Sequence, residues 1–159
     1  NNQTDIGKTF AESIAEKVAE FPEWEKEIRM YWDEWEKMIG GAVEGMEQWI
    51  TQLKLEGYRI YGLSNWSTET FPLVKDKYKV FSMMDGIVMS GEEKIGKPDV
   101  RLYQILLDRY ELKAEECVFI DDRKSNITAG ERIGIQGILF QSCKQAQEDF
   151  TKLQTKTTI

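Results

Sequence analysis

The sequence predicts an α/β fold in which a Rossmann-like parallel sheet with flanking helices follows a small helical cap. Two observations support this prediction. Residues 1–41 show only helical spacing of apolar side chains, whereas residues 42–159 alternate short apolar runs with helical patterns. Strands that alternate with helices form βαβ units with right-handed crossovers, and such units build parallel sheets. We therefore expect a helical segment over 1–41 and an α/β core over 42–159.

The helical segment is predicted to contain two helices with no strand between them. Apolar spacing starts at Phe10, a break falls at Phe21-Pro22, and the second helix is expected to end at Gly40-Gly41. One apolar stripe runs along the second helix. We expect this stripe to be buried in a core, with the lining of a substrate entrance as the alternative. Its members are Trp24, Ile28, Tyr31, Trp35 and Met38.

The core segment predicts strands and helices in alternation. The apolar runs are short and rich in β-branched and aromatic residues, which is typical of buried strands in a parallel sheet. A polar loop is expected over 90–97. The predicted strands are 58–63, 86–89, 117–120 and 135–140, and the predicted helices are 43–56, 68–77, 98–110, 125–133 and 142–153.

Composition limits the partners and the compartment. The net charge is −7 and the lysines and arginines are scattered, which argues against binding to nucleic acid or to anionic membranes. No run approaches the about 20 apolar residues of a transmembrane helix, and no signal peptide opens the chain. Histidine is absent, which excludes Ser-His and Cys-His triads and the common zinc sites within this chain. Cys117 and Cys143 show no metal-ligand spacing, and we expect Cys117 to be a buried free thiol in a reducing cytoplasm.

Polar residues follow three of the predicted strands. Ser64-Asn65 offer a hydroxyl and an amide that can donate to a phosphate-like oxygen, Lys97 precedes Pro98 at the start of a helix, and Asp121-Asp122 follow the third strand. Each feature alone has an ordinary explanation as a turn, a solvated lysine or a helix N-cap. The carboxyl ends of parallel strands meet at one edge, where ligands bind, so the three groups are expected to lie together.

The two adjacent carboxylates predict a cation site. Asp121 and Asp122 repel each other unless a cation binds between or beside them. Mg2+ is the expected ion because it prefers carboxylate oxygens and leaves coordination positions open for a substrate. The alternative is that the pair only caps the following helix.

These residues resemble the motifs of the haloacid dehalogenase (HAD) superfamily, in the branch that inserts a small helical cap after its first strand. The helical segment would then be part of the cap, and the remainder would be the HAD-like core. The matching residues are Leu63-Ser64-Asn65 for the second motif, Lys97 for the third, Phe119-Ile120-Asp121-Asp122 with Asn126 for the fourth, and the stretch 85–92 leading to Lys97-Pro98-Asp99.

The resemblance implies phosphoryl transfer through an aspartyl-phosphate, with Mg2+ as cofactor and a small phosphorylated metabolite of sugar-phosphate type as substrate. Ser64 would hydrogen-bond a phosphoryl oxygen, and Lys97 would pair with the nucleophile and the phosphate. Asp122 would bind the metal, while Asp121 would orient the site or bind the metal through water. Asn126 stands where many relatives carry a second Asp that holds the lysine or a metal-bound water.

The first motif of the superfamily is absent from the sequence. It is an apolar strand ending in Asp-x-Asp, which carries the nucleophile and in this superfamily lies between the strands that end at Ser64 and at Asp121. We therefore expect that an N-terminal segment is missing, that the 159-residue chain is inactive alone, and that it binds Mg2+ weakly or not at all. We also expect the gap in the sheet to be closed by rearrangement or filled from another molecule, as in a dimer or a strand exchange.

Two other functions remain open at this point. A metal-independent dehalogenase of the same superfamily would have no need of the acidic pair Asp121-Asp122. A non-catalytic binding module would use the same fold without the nucleophile. The absent first motif favours the module only if no Asp-x-Asp strand exists in the complete protein.

Overall fold

A computed structural model describes residues 3–157 of the chain, with side chains to residue 155. The α/β class predicted from the sequence is confirmed. The strands are β1 (Tyr61–Ser64), β2 (Gly86–Met89), β3 (Val118–Asp121) and β4 (Gln136–Leu139). The helices are α1 (Phe10–Glu20), α2 (Glu25–Asp33), α3 (Met46–Leu55), α4 (Phe71–Val74), α5 (Lys79–Met83), α6 (Ser90–Glu93), α7 (Val100–Arg109), α8 (Lys124–Glu131) and α9 (Cys143–Thr157), with 3-10 turns at Thr4–Ile6, Pro22–Trp24, Trp35–Met38 and Ala114–Glu116.

The four strands form two parallel pairs. β1 pairs with β2, with Tyr61 opposite Gly86, and β3 pairs with β4, with Val118 opposite Gln136. Within residues 3–157, β1 and β3 are not hydrogen-bonded to each other, so the strands make two separate two-stranded sheets. The rearrangement that would close the sheet by pairing its two inner strands does not occur. Filling of that position from another molecule stays a prediction.

Apolar side chains are buried in two clusters. The first packs α7 and α8 against β1 and β2, and it includes Leu63, Val88 and Leu102. The second joins α3 and α9 to β4 through Trp49 and Ile138. Helices thus pack against the apolar side chains of all four strands. The polar residues lie at the carboxyl ends of these strands, outside the two apolar clusters.

The aromatic stripe of the helical segment is not buried, and the prediction that it forms a core is wrong. α2 contains no buried residue, and Trp24 and Met38 are each more than half exposed. Helical spacing places these side chains on one face but does not supply a partner that covers the face. α1 is anchored instead through Phe10, which is buried and whose backbone N–H donates to Glu69.

Several local predictions differ from the structure. The second helix of the helical segment was expected to end at Gly40-Gly41, but α2 ends at Asp33 and a 3-10 turn follows at Trp35–Met38. The helix expected over 68–77 is reduced to α4, which begins at Phe71 because Pro72 suits the first turn of a helix. The loop expected over 90–97 begins with the short helix α6. Cys117 is a free thiol as expected, but it is only half-buried. No helix within residues 3–157 has the length and apolar character needed to cross a membrane.

Candidate active site

Lys97 lies at the centre of the candidate site. Its Nζ donates to the carbonyl oxygen of Leu63 at 2.6 Å and to Oδ2 of Asp121 at 2.8 Å. The first acceptor belongs to the end of β1 and the second to the end of β3, so a single ammonium group bridges the two sheets. The side chain is only 10% exposed, and its Nζ lies 5.4 Å from the centre of the Phe119 ring. The lysine therefore points inward and is not the solvated side chain that a lysine at a helix start would ordinarily be.

Asp121 is the buried acceptor at this position. Its second oxygen, Oδ1, accepts from the backbone N–H of Arg123 at 2.8 Å and from Nδ2 of Asn126 at 2.9 Å. Burial alone would raise the pKa of Asp121. The hydrogen bonds from Lys97, Arg123 and Asn126 outweigh that effect and hold its pKa below the usual range. Asp121 is therefore an anion whose two oxygens are both engaged within the protein.

Asn126 holds Asp121 from the first turn of α8. It is buried, and its backbone carbonyl accepts a hydrogen bond of 2.8 Å from the hydroxyl of Tyr103 on α7. Tyr103 is fully buried, and burial together with the charge of Asp121 raises the pKa of its hydroxyl. The amide nitrogen of Asn126 thus contacts Asp121, whereas the resemblance implied a contact with Lys97 or with a metal-bound water.

Asn65 contacts the backbone of Lys97. Its Oδ1 accepts from the Lys97 N–H at 2.7 Å, and its Nδ2 donates to the Lys97 carbonyl at 3.0 Å. This pair of bonds fixes the loop that carries Lys97 against the end of β1. One of the amide hydrogens that the sequence analysis directed toward a phosphate oxygen is therefore used to position the lysine.

Ser64 and Asp122 complete the set that was predicted from the sequence. Ser64 is the last residue of β1, next to the carbonyl that Lys97 contacts. Asp122 directly follows β3 and is exposed, in contrast to its neighbour Asp121. The two aspartates thus occupy different environments, one buried against a lysine and one facing solvent.

The donor set permits a partial test of the expected Mg2+ site. Within residues 3–157, no three acidic or thiol side chains gather in a way that could hold a metal ion. Mg2+ in phosphoryl-transfer sites commonly takes one or two carboxylates and completes its shell with water and substrate phosphate. Asp122 fits the role of one such carboxylate. Asp121 fits it poorly, because both of its oxygens already accept hydrogen bonds.

A cavity of about 170 Å3 lies beside Asn65, between the helical segment and the ends of the strands. Trp35 and Tyr31 of the aromatic stripe line it. The alternative prediction, in which the stripe lines a substrate entrance, is therefore compatible with the positions of these two residues. Trp66 lies on the core side, and its ring centre is 6.2 Å from that of Trp35. Among the residues that the structure describes, Asp5 supplies the one charged side chain of the lining. Burial raises the pKa of this carboxyl, and the Arg123 charge opposes the rise.

A buried serine that the sequence analysis missed joins the two sides of this cavity. The hydroxyl of Ser90 accepts from the Trp66 N–H at 3.0 Å and donates to the carbonyl of Asp5. Ser90 directly follows β2. A search for polar residues at the carboxyl ends of the predicted strands, which identified Ser64 at the end of β1, would therefore have found Ser90 as well. Asp5, Trp66 and Tyr103 gave no comparable signal, because their importance depends on contacts between distant parts of the chain.

Known proteins resemble the chain in sequence. Residues 3–134 match the profile of the haloacid dehalogenase-like hydrolase family. The sesquiterpene phosphatase astK of Aspergillus oryzae is 28% identical over 93 residues, which cover 58% of this chain and 47% of that protein. A chloroplast flavin mononucleotide hydrolase of Arabidopsis thaliana is 22% identical over 117 residues, which cover 74% of this chain and 47% of that protein. The chain spans about half, or less, of the length of the curated relatives it matches first.

A solved structure shares the fold. It is a HAD family enzyme of Bacteroides thetaiotaomicron in complex with magnesium and inorganic phosphate. The TM-score is 0.72 at 21% sequence identity, and the match covers 89% of this chain and 74% of that one. At this identity the similarity establishes the α/β architecture of the chain and not its chemistry.

Proposed function

Because the chain belongs to the haloacid dehalogenase-like hydrolase family, we propose that the complete protein is a Mg2+-dependent phosphatase of small phosphomonoesters that works through an aspartyl-phosphate. The position of Lys97 carries this proposal. A buried ammonium group next to Ser64, at the shared end of two parallel sheets, is suited to a phosphoryl group. The Aspergillus oryzae relative is a sesquiterpene phosphatase, which supports the same reaction class.

The chain's own residues have distinct roles in this proposal. Ser64 donates its hydroxyl to a phosphoryl oxygen, and Lys97 offsets the negative charge of the transferring group. Asp121, Asn126 and Asn65 act as positioning residues, because each contacts Lys97 or a group that contacts it. Their hydrogen bonds hold the ammonium group in place before the substrate arrives, so no reorganisation is needed during the reaction.

Mg2+ enters the proposal through Asp122. Its exposed carboxylate at the end of β3 would be one ligand, and the bound ion would neutralise charge that develops on the phosphoryl oxygens. The nucleophile is proposed to be an aspartate of an Asp-x-Asp pair, a pattern that residues 1–159 do not contain. The 159-residue chain is therefore proposed to be inactive alone and to bind Mg2+ weakly.

The test compares two proteins on p-nitrophenyl phosphate: the 159-residue chain, and the complete protein, in which we expect an Asp-x-Asp strand. We expect Mg2+-dependent turnover from the complete protein only. Lys97→Met or Ser64→Ala should lower its kcat/KM by about a hundredfold or more. Lys54→Met is the matched control, since Lys54 forms an ion pair with Asp85 away from the site. Turnover by the 159-residue chain that Asp122→Ala abolishes would show that the nucleophile has been misidentified.

A dehalogenase is the second candidate. The (S)-2-haloacid dehalogenase 4A of Burkholderia cepacia is 26% identical over 89 residues, which cover 56% of this chain. Dehalogenation without a metal gives the exposed Asp122 no role, which favours the phosphatase. The same preparation should be assayed on 2-chloropropionate with and without Mg2+. Metal-independent chloride release in the absence of phosphatase activity would reverse the order of the two candidates.

A further inference from the structure

The cavity beside Asn65 has a lining that the proposed function does not yet use. Four aromatic residues line it, namely Phe10, Tyr31, Trp35 and Trp66, and among the described lining residues the one charged side chain is that of Asp5. None of the described side chains that line it is a lysine or an arginine. Asn65 belongs to both this lining and the Lys97 site, so the cavity adjoins the position proposed for the phosphate.

The walls of the cavity are held in place. The indole N–H of Trp66 donates to the hydroxyl of Thr70 at 3.0 Å, and its backbone N–H donates to the buried hydroxyl of Ser90. The same Ser90 hydroxyl donates to the Asp5 carbonyl, which fixes the turn that carries the carboxylate. A wall that is already ordered loses little conformational freedom when a ligand binds.

The chemistry of the lining selects one kind of ligand. Aromatic faces attract cations through the ring quadrupole, and quaternary ammonium groups are bound in this way by aromatic cages. A carboxylate beside the rings strengthens that attraction, while it repels a second anion. The four rings cannot satisfy the several hydroxyl groups of a sugar, which would depend for hydrogen bonds on the few polar residues of the lining, Thr4, Asn65 and Thr70 beside Asp5.

The size of the cavity points to a single compact group. Its volume of about 170 Å3 is close to the about 150 Å3 of a cavity that holds one benzene molecule. A trimethylammonium head group is of similar bulk, whereas the two-ring or longer leaving groups of larger esters are not. The charge of Asp5 then decides between a cation and a neutral group of the same shape.

We propose that this cavity binds the alkylammonium end of the leaving group, so that the substrate is a phosphomonoester of an amino alcohol. The phosphate would lie at Lys97 and Ser64, and the cationic end would lie among Phe10, Tyr31, Trp35 and Trp66 beside Asp5. This inference depends on the proposed phosphatase function for the phosphate end of the ligand. The cationic end can be tested without any turnover.

The experiment is calorimetric titration of the 159-residue chain with choline, and separately with 3,3-dimethylbutanol, its uncharged isostere. We expect choline to bind at least about tenfold more tightly than the isostere. Asp5→Asn and Trp35→Leu should each weaken choline binding by about tenfold. Asp76→Asn and Trp24→Leu are the matched controls, since both residues are exposed and neither lines the cavity.

The possible results separate this inference from the phosphatase proposal. Equal affinity for choline and 3,3-dimethylbutanol would overturn it, because the wild-type cavity would then respond to shape and not to charge. Absence of choline binding, or binding that Asp5→Asn leaves unchanged, would also overturn it. Neither result bears on the Mg2+-dependent turnover of p-nitrophenyl phosphate, which has no cationic end. Phosphocholine tests whether the two sites bind one ligand. They do so if phosphocholine binds more tightly than choline in the wild-type chain and no better than choline in Lys97→Met.

Discussion

Lys97 connects the ends of two strands that are not paired with each other. Its ammonium group contacts Leu63 at the end of β1 and Asp121 at the end of β3, and both ionic partners are nearly buried. A buried ion pair is weak evidence for stability by itself, because desolvation offsets much of the attraction between the charges. Removing one partner has a different effect, since the remaining charge is then buried without compensation.

Lys97→Met is therefore expected to lower the free energy of unfolding by about 3 kcal/mol, because it leaves the Asp121 carboxylate buried beside an apolar side chain. The methionine retains most of the unbranched stem, so the loss reports the charge. The measurement is chemical denaturation at pH 7. Lys54→Met is the control, because the Lys54–Asp85 pair is about one third exposed and such pairs contribute about 1 kcal/mol or less. Equal losses in the two variants would contradict this account.

The pKa of Asp121 gives a second prediction at this scale. Burial opposes its ionisation, but the hydrogen bonds from Lys97, Arg123 and Asn126 keep its pKa below the unfolded value of about 3.9. The unfolded chain therefore binds a proton first as the pH falls. The stabilising contribution of Asp121 is complete at neutral pH and is lost as the pH falls through about 4 toward the folded-state pKa.

The test is the free energy of unfolding of the wild type and of Asp121→Asn between pH 7 and pH 3. The difference between the two proteins should shrink as the pH falls, because the wild-type carboxylate is progressively protonated. A difference that stays constant over this range would show that Asp121 contributes through its shape and not through its charge.

The residues of the site were easier to predict than their contacts. Ser64, Lys97 and Asp121 follow strands whose ends meet, so the strand pattern was enough to bring them together. The contacts of Asn65 depend on the conformation of a loop 32 positions away, and no local pattern describes it. Asp121 and Asp122 likewise differ because Asp121 is buried against Lys97 and Asp122 is exposed. The burial of two adjacent aspartates cannot be told apart from the sequence alone.

At the scale of elements, α6 packs closely against the loop that contains Trp66 and Thr68. A Cβ added at Gly91 would come within 2.7 Å of the Trp66 carbonyl oxygen and 2.9 Å of the Thr68 nitrogen. Both are backbone atoms and cannot rotate away. Gly91 therefore allows α6 to pack against the loop that carries Trp66, which is one wall of the cavity.

Gly91→Ala is accordingly expected to destabilise the protein by about 1–3 kcal/mol, as overpacking against backbone does. It should also displace Trp66, which a change in tryptophan fluorescence would report. Gly40→Ala is the matched control, because nothing lies within 4 Å of the added Cβ and its backbone conformation is ordinary. We expect that variant to change stability by less than about 0.5 kcal/mol. A loss of stability in Gly40→Ala as large as in Gly91→Ala would contradict the steric explanation.

The elements of the core were predicted more closely than those of the helical segment. β2 has the bounds predicted from the sequence, because a short apolar run between polar neighbours has little freedom in its ends. β1 begins at Tyr61, three residues later than predicted, because its ladder starts opposite Gly86 at the beginning of β2. The aromatic stripe of the helical segment was wrongly assigned to a core, because periodicity identifies the face on which side chains lie and not what covers that face.

At the scale of the whole molecule, the two sheets leave β1 and β3 each with an open edge. Within residues 3–157 these strands pair on one side only, and an unpaired strand edge offers backbone donors and acceptors to another segment. The proposed Asp-x-Asp strand would pair with both. Its carboxylates would then lie at the same end as Lys97 and Asp122.

A synthetic peptide with an apolar strand ending in Asp-x-Asp is therefore expected to raise the Tm of the 159-residue chain and to produce Mg2+-dependent phosphatase activity when added in trans. A peptide ending in Asn-x-Asn is the control, and it should raise the Tm without producing activity. This pair separates the pairing of the strand from the supply of the nucleophile. A Tm that neither peptide changes would show that the inner strands do not accept a partner.

The division into two sheets also has a consequence for the order of folding. Each sheet pairs strands that are close in sequence, Tyr61 with Gly86 and Val118 with Gln136, so each can form after closing only a short loop. The contact between Lys97 and Asp121 then joins the two strand pairs, together with the apolar cluster in which Ala129 and Ile135 pack with Leu63 and Val88. Native-state hydrogen exchange should therefore show protection in both strand pairs, and Lys97→Met should loosen their association without abolishing the protection inside either one.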